Sequence, residues 1–210
     1  MLRKAVFSKF YTLVHKDRPA YIEEIVHLSG KDRVEVITDI PDIYNELETY
    51  LPRSSNISIR MYNDELWPLY KLYSIEKEID TALSKKVWLK SGGYLIIEQT
   101  EALSVIDVNS GKNVTKAKSM EAIEASALKT NLEAADKLCQ QIKIRNLSGI
   151  IIVDFINMNQ RNCDILMEYL KSLAKKDIVS TTIVDITKLG LVEITRKKIG
   201  KSLSESLNKA

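Results

Sequence analysis

The stretch SGGYLIIEQTEALSVIDVNSG, residues 91–111, decides the fold. Two runs rich in β-branched and aromatic residues are separated by Gln99-Thr100-Glu101 and bounded by glycines, the pattern of a β-hairpin. Successive side chains of a strand alternate between faces, so Leu103, Val105, Asp107 and Asn109 share one side. Asp107 is then the charge at which an apolar row ends, close to the carboxyl end of its strand. IIIVDFINM, residues 150–158, repeats the arrangement: four apolar residues, Asp154, and Asn157 soon after. Two carboxylates that each end a β-run converge if their strands are neighbours. Such a pair repels and loses hydration, and a bound divalent cation offsets both costs. Oxygen ligands alone select Mg²⁺ or Mn²⁺ over zinc. Each Asp equally suits a strand end or a turn cap, and pattern alone leaves both readings open.

Outward from this stretch, helices alternate with strands. Towards the N-terminus, Pro19 to Leu28 reads as a short helix with Glu23 and Glu24 in its first turn, ended by Gly30. VEVIT (34–38) and ISIRM (57–61) read as strands. Between them Pro41 opens a helix with Ile43, Leu47 and Leu51 on one face, stopped before Pro52. A helix from about Leu72 to Ser84 follows, with Ile75, Ile79, Ala82 and Leu83 on one side. Towards the C-terminus come a long helix, about Ser119 to Lys143, then the strand GIIIVDF, a helix over Arg161 to Lys175, and short strands over Thr181 to Thr187 and Leu191 to Thr195. The long helix puts Met120, Ile123, Ala127, Asn131, Ala134, Leu138 and Ile142 on one stripe. The expected class is α/β: two small lobes, 1–80 and 81–200, with a mixed sheet flanked by helices, and a tail over 201–210.

Composition bounds the function. The 210 residues carry 31 Lys and Arg against 28 Asp and Glu, a net charge of +3, so any surface that grips nucleic acid has to be local. No run approaches the roughly 20 apolar residues that cross a bilayer, and the basic N-terminus lacks a signal-peptide pattern. Cys139 and Cys163 stand apart without CxxC spacing, which argues against a zinc site or a disulfide framework and fits packing in a reducing cytoplasm. Trp67 and Trp88 are expected as core or interface fillers, with base stacking the alternative. Glu98 and Glu101 are expected as exposed turn carboxylates, and His15 and His27 as surface residues.

Three longer segments carry a resemblance. SGGYLIIEQTEALSVIDVNSG, TNLEAADKLCQQIKIRNLSGIIIVDFINM (130–158) and ITKLGLVEITRKK (186–198), with WPLYKLYSIEKEIDTALSKKVWLKSGG (67–93) upstream, resemble the ribonuclease E/G family. The resemblance implies a DNase I-like subdomain for the second lobe and part of an RNase H-like subdomain for the first. It implies an Mg²⁺-dependent endoribonuclease of single-stranded RNA, with Mn²⁺ an acceptable substitute, leaving a 5′-phosphate and serving RNA processing, rRNA included, and decay. Asp107 and Asp154 would ligate the metal, and Asn109 would support Asp107. Lys112, Lys116 and Lys118, and a second cluster at Arg196, Lys197 and Lys198, are the candidates to hold the RNA backbone, with an ordinary solvated charge the alternative for each lysine.

Family members also carry an N-terminal OB-fold domain, a 5′-monophosphate sensor and, further on, a C-P-x-C zinc-link that joins protomers. The chain ends at SLSESLNKA without those cysteines, so it reads as a catalytic-core fragment, monomeric or weakly dimeric, of a homo-oligomeric parent. The alternative function is an RNA-binding or scaffold module with little or no turnover.

Overall fold

The computed structural model describes residues 18–30, 32–51, 56–111 and 119–207. The chain divides into two compact units, residues 1–75 and 76–210.

In the first unit, α1 (Ala20–Ser29) precedes β1 (Val34–Thr38), α2 (Pro41–Tyr50) and β2 (Ile57–Met61). Pro41 sits in the first turn of α2, where its missing N–H costs nothing. The helix carries the chain back, so β1 and β2 pair in parallel, Val34 opposite Ile57 through Thr38 opposite Met61. Ile22, Leu47 and Leu51 form its buried centre. Tyr21 donates its hydroxyl to Glu46, which pushes the phenol up to about 12. The helix expected from Leu72 to Ser84 is two pieces, α3 (Leu69–Leu72) and α4 (Ile75–Leu83). Ser74 breaks it at φ 51°, a left-handed conformation that periodicity does not announce.

The second unit is built on a six-stranded mixed sheet in the order β3-β4-β5-β6-β8-β7. The strands are β3 (Lys86–Trp88), β4 (Tyr94–Gln99), β5 (Leu103–Asn109), β6 (Gly149–Asp154), β7 (Thr181–Ile186) and β8 (Leu191–Arg196). Between them run α5 (Met120–Ile144) and α6 (Gln160–Ala174), with α7 (Leu203–Ser206) at the end. Ser119 caps α5 by accepting the Ala122 N–H, and Asn159 caps α6 by accepting that of Asn162. The 25 residues of α5 return the chain along the sheet, so β6 lies parallel to β5, whereas the hairpin partners β3, β4 and β5 are antiparallel.

One face of this sheet meets the helices. Leu95, Ile106, Ile151, Val153, Val192 and Ile194 pack against Leu138, Leu166 and Leu170 with almost no exposure. The other face is partly open, with Val105, Ile150 and Val184 between 39% and 50% exposed. The expected α/β class with a mixed sheet and flanking helices is what the chain forms. The expected apolar row under Asp107 differs: Leu103 and Val105 lie on the open face, and the buried row is Ser104, Ile106 and Val108. Alternation alone does not say which of two apolar rows faces the helices. The first turns of α5 also depart from the expected stripe, with Met120 75% and Ile123 47% exposed.

Candidate active site

Asp107 and Asp154 are direct partners across the parallel β5–β6 pair. Residues in register on neighbouring strands have Cα atoms about 4.8 Å apart and point to the same side of the sheet. Both aspartates are exposed, on the open face, at or near the carboxyl ends of their strands. Their row runs from Ile96 on β4, through the two carboxylates, to Leu191 on β8. Asn109, two residues beyond Asp107 on the same face, donates its side-chain amide to Asp107 Oδ2 at 2.6 Å. That bond engages one of the two carboxylate oxygens of Asp107.

The loops around this pair are pinned from beneath by α5. Asn131, fully buried, donates its amide to the Ile156 carbonyl (2.8 Å) and accepts the Ile156 N–H (3.1 Å). It thereby replaces the ladder partner that the chain loses as it leaves β6 just past Asp154. Two residues on, Glu133 accepts the Ser91 backbone N–H at 3.2 Å. Burial alone would push its carboxyl up; the Ser91 hydroxyl and the N–H groups of Ser91 and Lys90 hold it below the usual range. Near the start of α5, Glu124 accepts the N–H of Asn159 and the side-chain amide of Asn162. The glycines of the opening stretch serve close approach. A Cβ on Gly93 would stand 2.7 Å from the Asn109 carbonyl, and one on Gly111, at φ +60°, 2.3 Å from the Gly92 carbonyl. The turn before β4 therefore packs backbone to backbone against the NSG segment after Asp107.

The other expected site residues fare unequally. Lys112, Lys116 and Lys118 lie outside the described residues, as does His15. Arg196, expected to hold RNA, has its side chain turned into the protein. It is 5% exposed; its Nε donates to Asp177 at 2.9 Å, and its Nη1 to Asn146 and the Leu147 carbonyl. It also pairs with Gly149, five residues from Asp154 along β6, roughly 17 Å at strand spacing. Lys197 and Lys198 are exposed at that same distant end. A run of basic letters does not show that the first of them points into the core. Trp67 and Trp88, expected as fillers, are 62% and 60% exposed. Glu98 is exposed and paired with Lys85, and Glu101 is exposed. Cys139 and Cys163 are free thiols, and burial pushes Cys139 up to about 11, so both pack as weakly polar residues.

Sequence reasoning missed Asn131, Glu133 and Glu124, three polar residues on one helix that hold the site's loops. The available signal was an Asn on an apolar stripe, since a fully buried amide needs dedicated partners.

Among the described residues no group of three or more His, Cys, Asp or Glu gathers to hold a metal. Two hard carboxylates with open surroundings nonetheless fit Mg²⁺, which commonly binds through one or two carboxylates and completes its shell with water and substrate phosphate.

Paired carboxylates at neighbouring strand ends of a mixed α/β sheet are a set of oxygen ligands suited to a hard cation, and similarity gives the family. The family model for the Ribonuclease E/G family matches residues 1–199. The chain is 35% identical over 199 residues to Ribonuclease E of Buchnera aphidicola subsp. Schizaphis graminum, covering 92% of this chain and 20% of that protein. It is 40% identical over 171 residues to Ribonuclease G of Escherichia coli strain K12, covering 80% and 31%. To Ribonuclease G of Haemophilus influenzae it is 43% identical over 141 residues, covering 67% and 28%. The chain belongs to the ribonuclease E/G family and spans a fifth to a third of the length of these relatives.

Proposed function

We propose that this chain carries the catalytic centre of an Mg²⁺-dependent endoribonuclease that cleaves single-stranded RNA, with Asp107 and Asp154 as metal ligands. The observation that supports this reading most is the in-register pairing of the two carboxylates on an open sheet face. Magnesium between them would supply Lewis-acid stabilisation of charge on the scissile phosphate and lower the pKa of an attacking water. The chain's own residues hold the site. Asn109 fixes the rotamer of Asp107 through its 2.6 Å bond, Asn131 holds the backbone beyond Asp154, and Glu133 anchors the turn beside the NSG segment. With water as nucleophile, the downstream product keeps a 5′-phosphate and the ribose 2′-hydroxyl takes no part.

In this reading residues 81–200 form a DNase I-like subdomain and residues 1–80 part of an RNase H-like one. The work is RNA processing and decay in the cytoplasm, by a parent that is homo-oligomeric. Free, partly buried thiols fit a reducing compartment. No helix among the described residues is long and apolar enough to cross a membrane.

The test is cleavage of a 5′-labelled single-stranded RNA with Mg²⁺ and with EDTA. The wild type should give 5′-phosphorylated downstream products only with Mg²⁺. Asp107→Asn and Asp154→Asn should each lose at least about a hundredfold in rate while keeping the native circular dichroism spectrum. Wild-type rates from both variants would remove the assignment. RNA binding without metal-dependent products would leave an RNA-binding module instead.

A further inference from the structure

The sheet face that carries Asp107 extends, two strands away, into an aromatic and basic patch at the sheet's edge. Register sets Trp88 against Tyr94 and Tyr94 against Asn109, so these side chains form one row, adjacent to the row of the aspartates. Two inter-strand steps separate Trp88 from the strand of Asp107, roughly 10 Å. The indole and phenol rings meet edge to face, with centroids 5.3 Å apart and planes at 66°. Lys86 Nζ lies over both, 3.9 Å from the indole centroid and 3.7 Å from the phenol centroid. Trp88 is thus held in a fixed orientation by two neighbours and is still 60% exposed.

Trp88, on the edge strand, also lines one end of an open groove of about 430 Å³ that lies on the helix side of the sheet, bounded by the end of β3, by α5 and by the C-terminal end of α6. Lys90, Lys137, Lys143 and Lys176 stand on its walls. Glu133, which accepts the Ser91 N–H, and Asp136, which accepts the Tyr169 hydroxyl at 2.6 Å, keep their charges, and the four lysines outnumber them. The groove is therefore an electropositive channel that begins at an exposed, oriented aromatic ring. Single-stranded nucleic acid matches both features, since its bases stack on aromatic rings and its phosphates seek ammonium groups. A duplex keeps its bases stacked on one another and offers none to Trp88. Neither an acidic peptide nor a phosphopeptide explains the presented indole.

We infer that Trp88, backed by Tyr94 and Lys86, is a stacking subsite for a base flanking the scissile phosphate, and that the strand continues around the sheet's edge, where the lysine groove on the helix side takes its phosphates. The choice of RNA as that strand rests on the ribonuclease reading above. The subsite is independent of sequence context, because every base has a π-face.

The test is binding of a fluorescein-labelled single-stranded RNA to the full chain in EDTA, where no cleavage intervenes. Trp88→Ala should weaken binding about tenfold and Trp88→Phe no more than about threefold, with both variants melting like the wild type. The same oligonucleotide with abasic residues throughout should bind the wild type and Trp88→Ala equally, and a duplex should show no Trp88 effect. In a Trp67→Phe background, Trp88 emission should be quenched by the intact strand and not by the abasic one. Wild-type affinity in Trp88→Ala, an equal loss with the abasic strand, or no RNA binding by the wild type would each overturn the subsite. Cleavage by Asp107→Asn, measured alongside, reports separately on the catalytic reading. If that variant cuts normally while Trp88→Ala still binds weakly, catalysis has been misassigned and the subsite stands.

Discussion

Asn109 acts on Asp107 through one short hydrogen bond, and its loss should be felt in metal affinity before it is felt in stability. Asn109→Ala is expected to weaken Mn²⁺ binding about 10- to 100-fold, read by electron paramagnetic resonance titration, with an unchanged melting temperature. At the far end of the sheet a different pair carries stability. Burial alone would push the Asp177 carboxyl up, but Arg196, Thr181 and the Val179 N–H hold it below the usual carboxylate range. Its value in the folded chain is thus below the unfolded value of about 3.9. The stability it contributes is fully present above that pH and is lost as pH falls through the folded value. Asp177→Ala should cost about 3–5 kcal/mol at pH 7, because it leaves the Arg196 guanidinium buried and uncompensated. In urea melts the gap between wild type and variant should narrow below about pH 4. An unchanged gap would mean that the pair is not charged as described. At this scale Asp107, Asp154 and Asn109 were legible because polar residues that end β-runs stand out. The burial of Arg196 was not legible, because its letter says nothing of the direction of its side chain.

Elements convert those residues into a site. The hairpin was legible from its glycines and its period of two, and the parallel β5–β6 pairing follows from a 25-residue helix between the strands. Which face of β5 is buried was not legible, since both rows of LSVIDVN contain aliphatic residues and only the docking of α5 and α6 decides. The tight contact of the Gly92-Gly93 turn with Asn109 was also invisible in sequence. Gly93→Ala must displace the Asn109 carbonyl, which a Cβ would approach to 2.7 Å. The expected cost is about 1–3 kcal/mol in denaturant unfolding, with a matching loss of Mn²⁺ affinity as the strand end shifts. Asn131→Leu tests α5 as an anchor. It leaves both backbone groups of Ile156 without their side-chain partner and should cost about 2–5 kcal/mol, with faster amide exchange at Ile156. Wild-type stability in Asn131→Leu would show that water replaces the amide and that α5 does not hold the loop.

Across the whole molecule, two units with separate hydrophobic centres predict separable folding. A polypeptide of residues 76–210 should unfold cooperatively on its own and retain amide protection in β5 and β6. Loss of that protection would mean that the sheet depends on the first unit. The α/β class and the alternation of helices and strands were legible throughout. The break at Ser74 was not, because a left-handed serine leaves no mark in apolar periodicity. The proposed catalytic centre requires two aspartates, 47 residues apart in sequence and partners across one strand pair, to hold one hard cation jointly. Anomalous diffraction from crystals soaked in Mn²⁺ tests this directly. A single peak within ligand distance of carboxylate oxygens from both Asp107 and Asp154 is the expected result; carboxylates turned apart, with no peak between them, would contradict it.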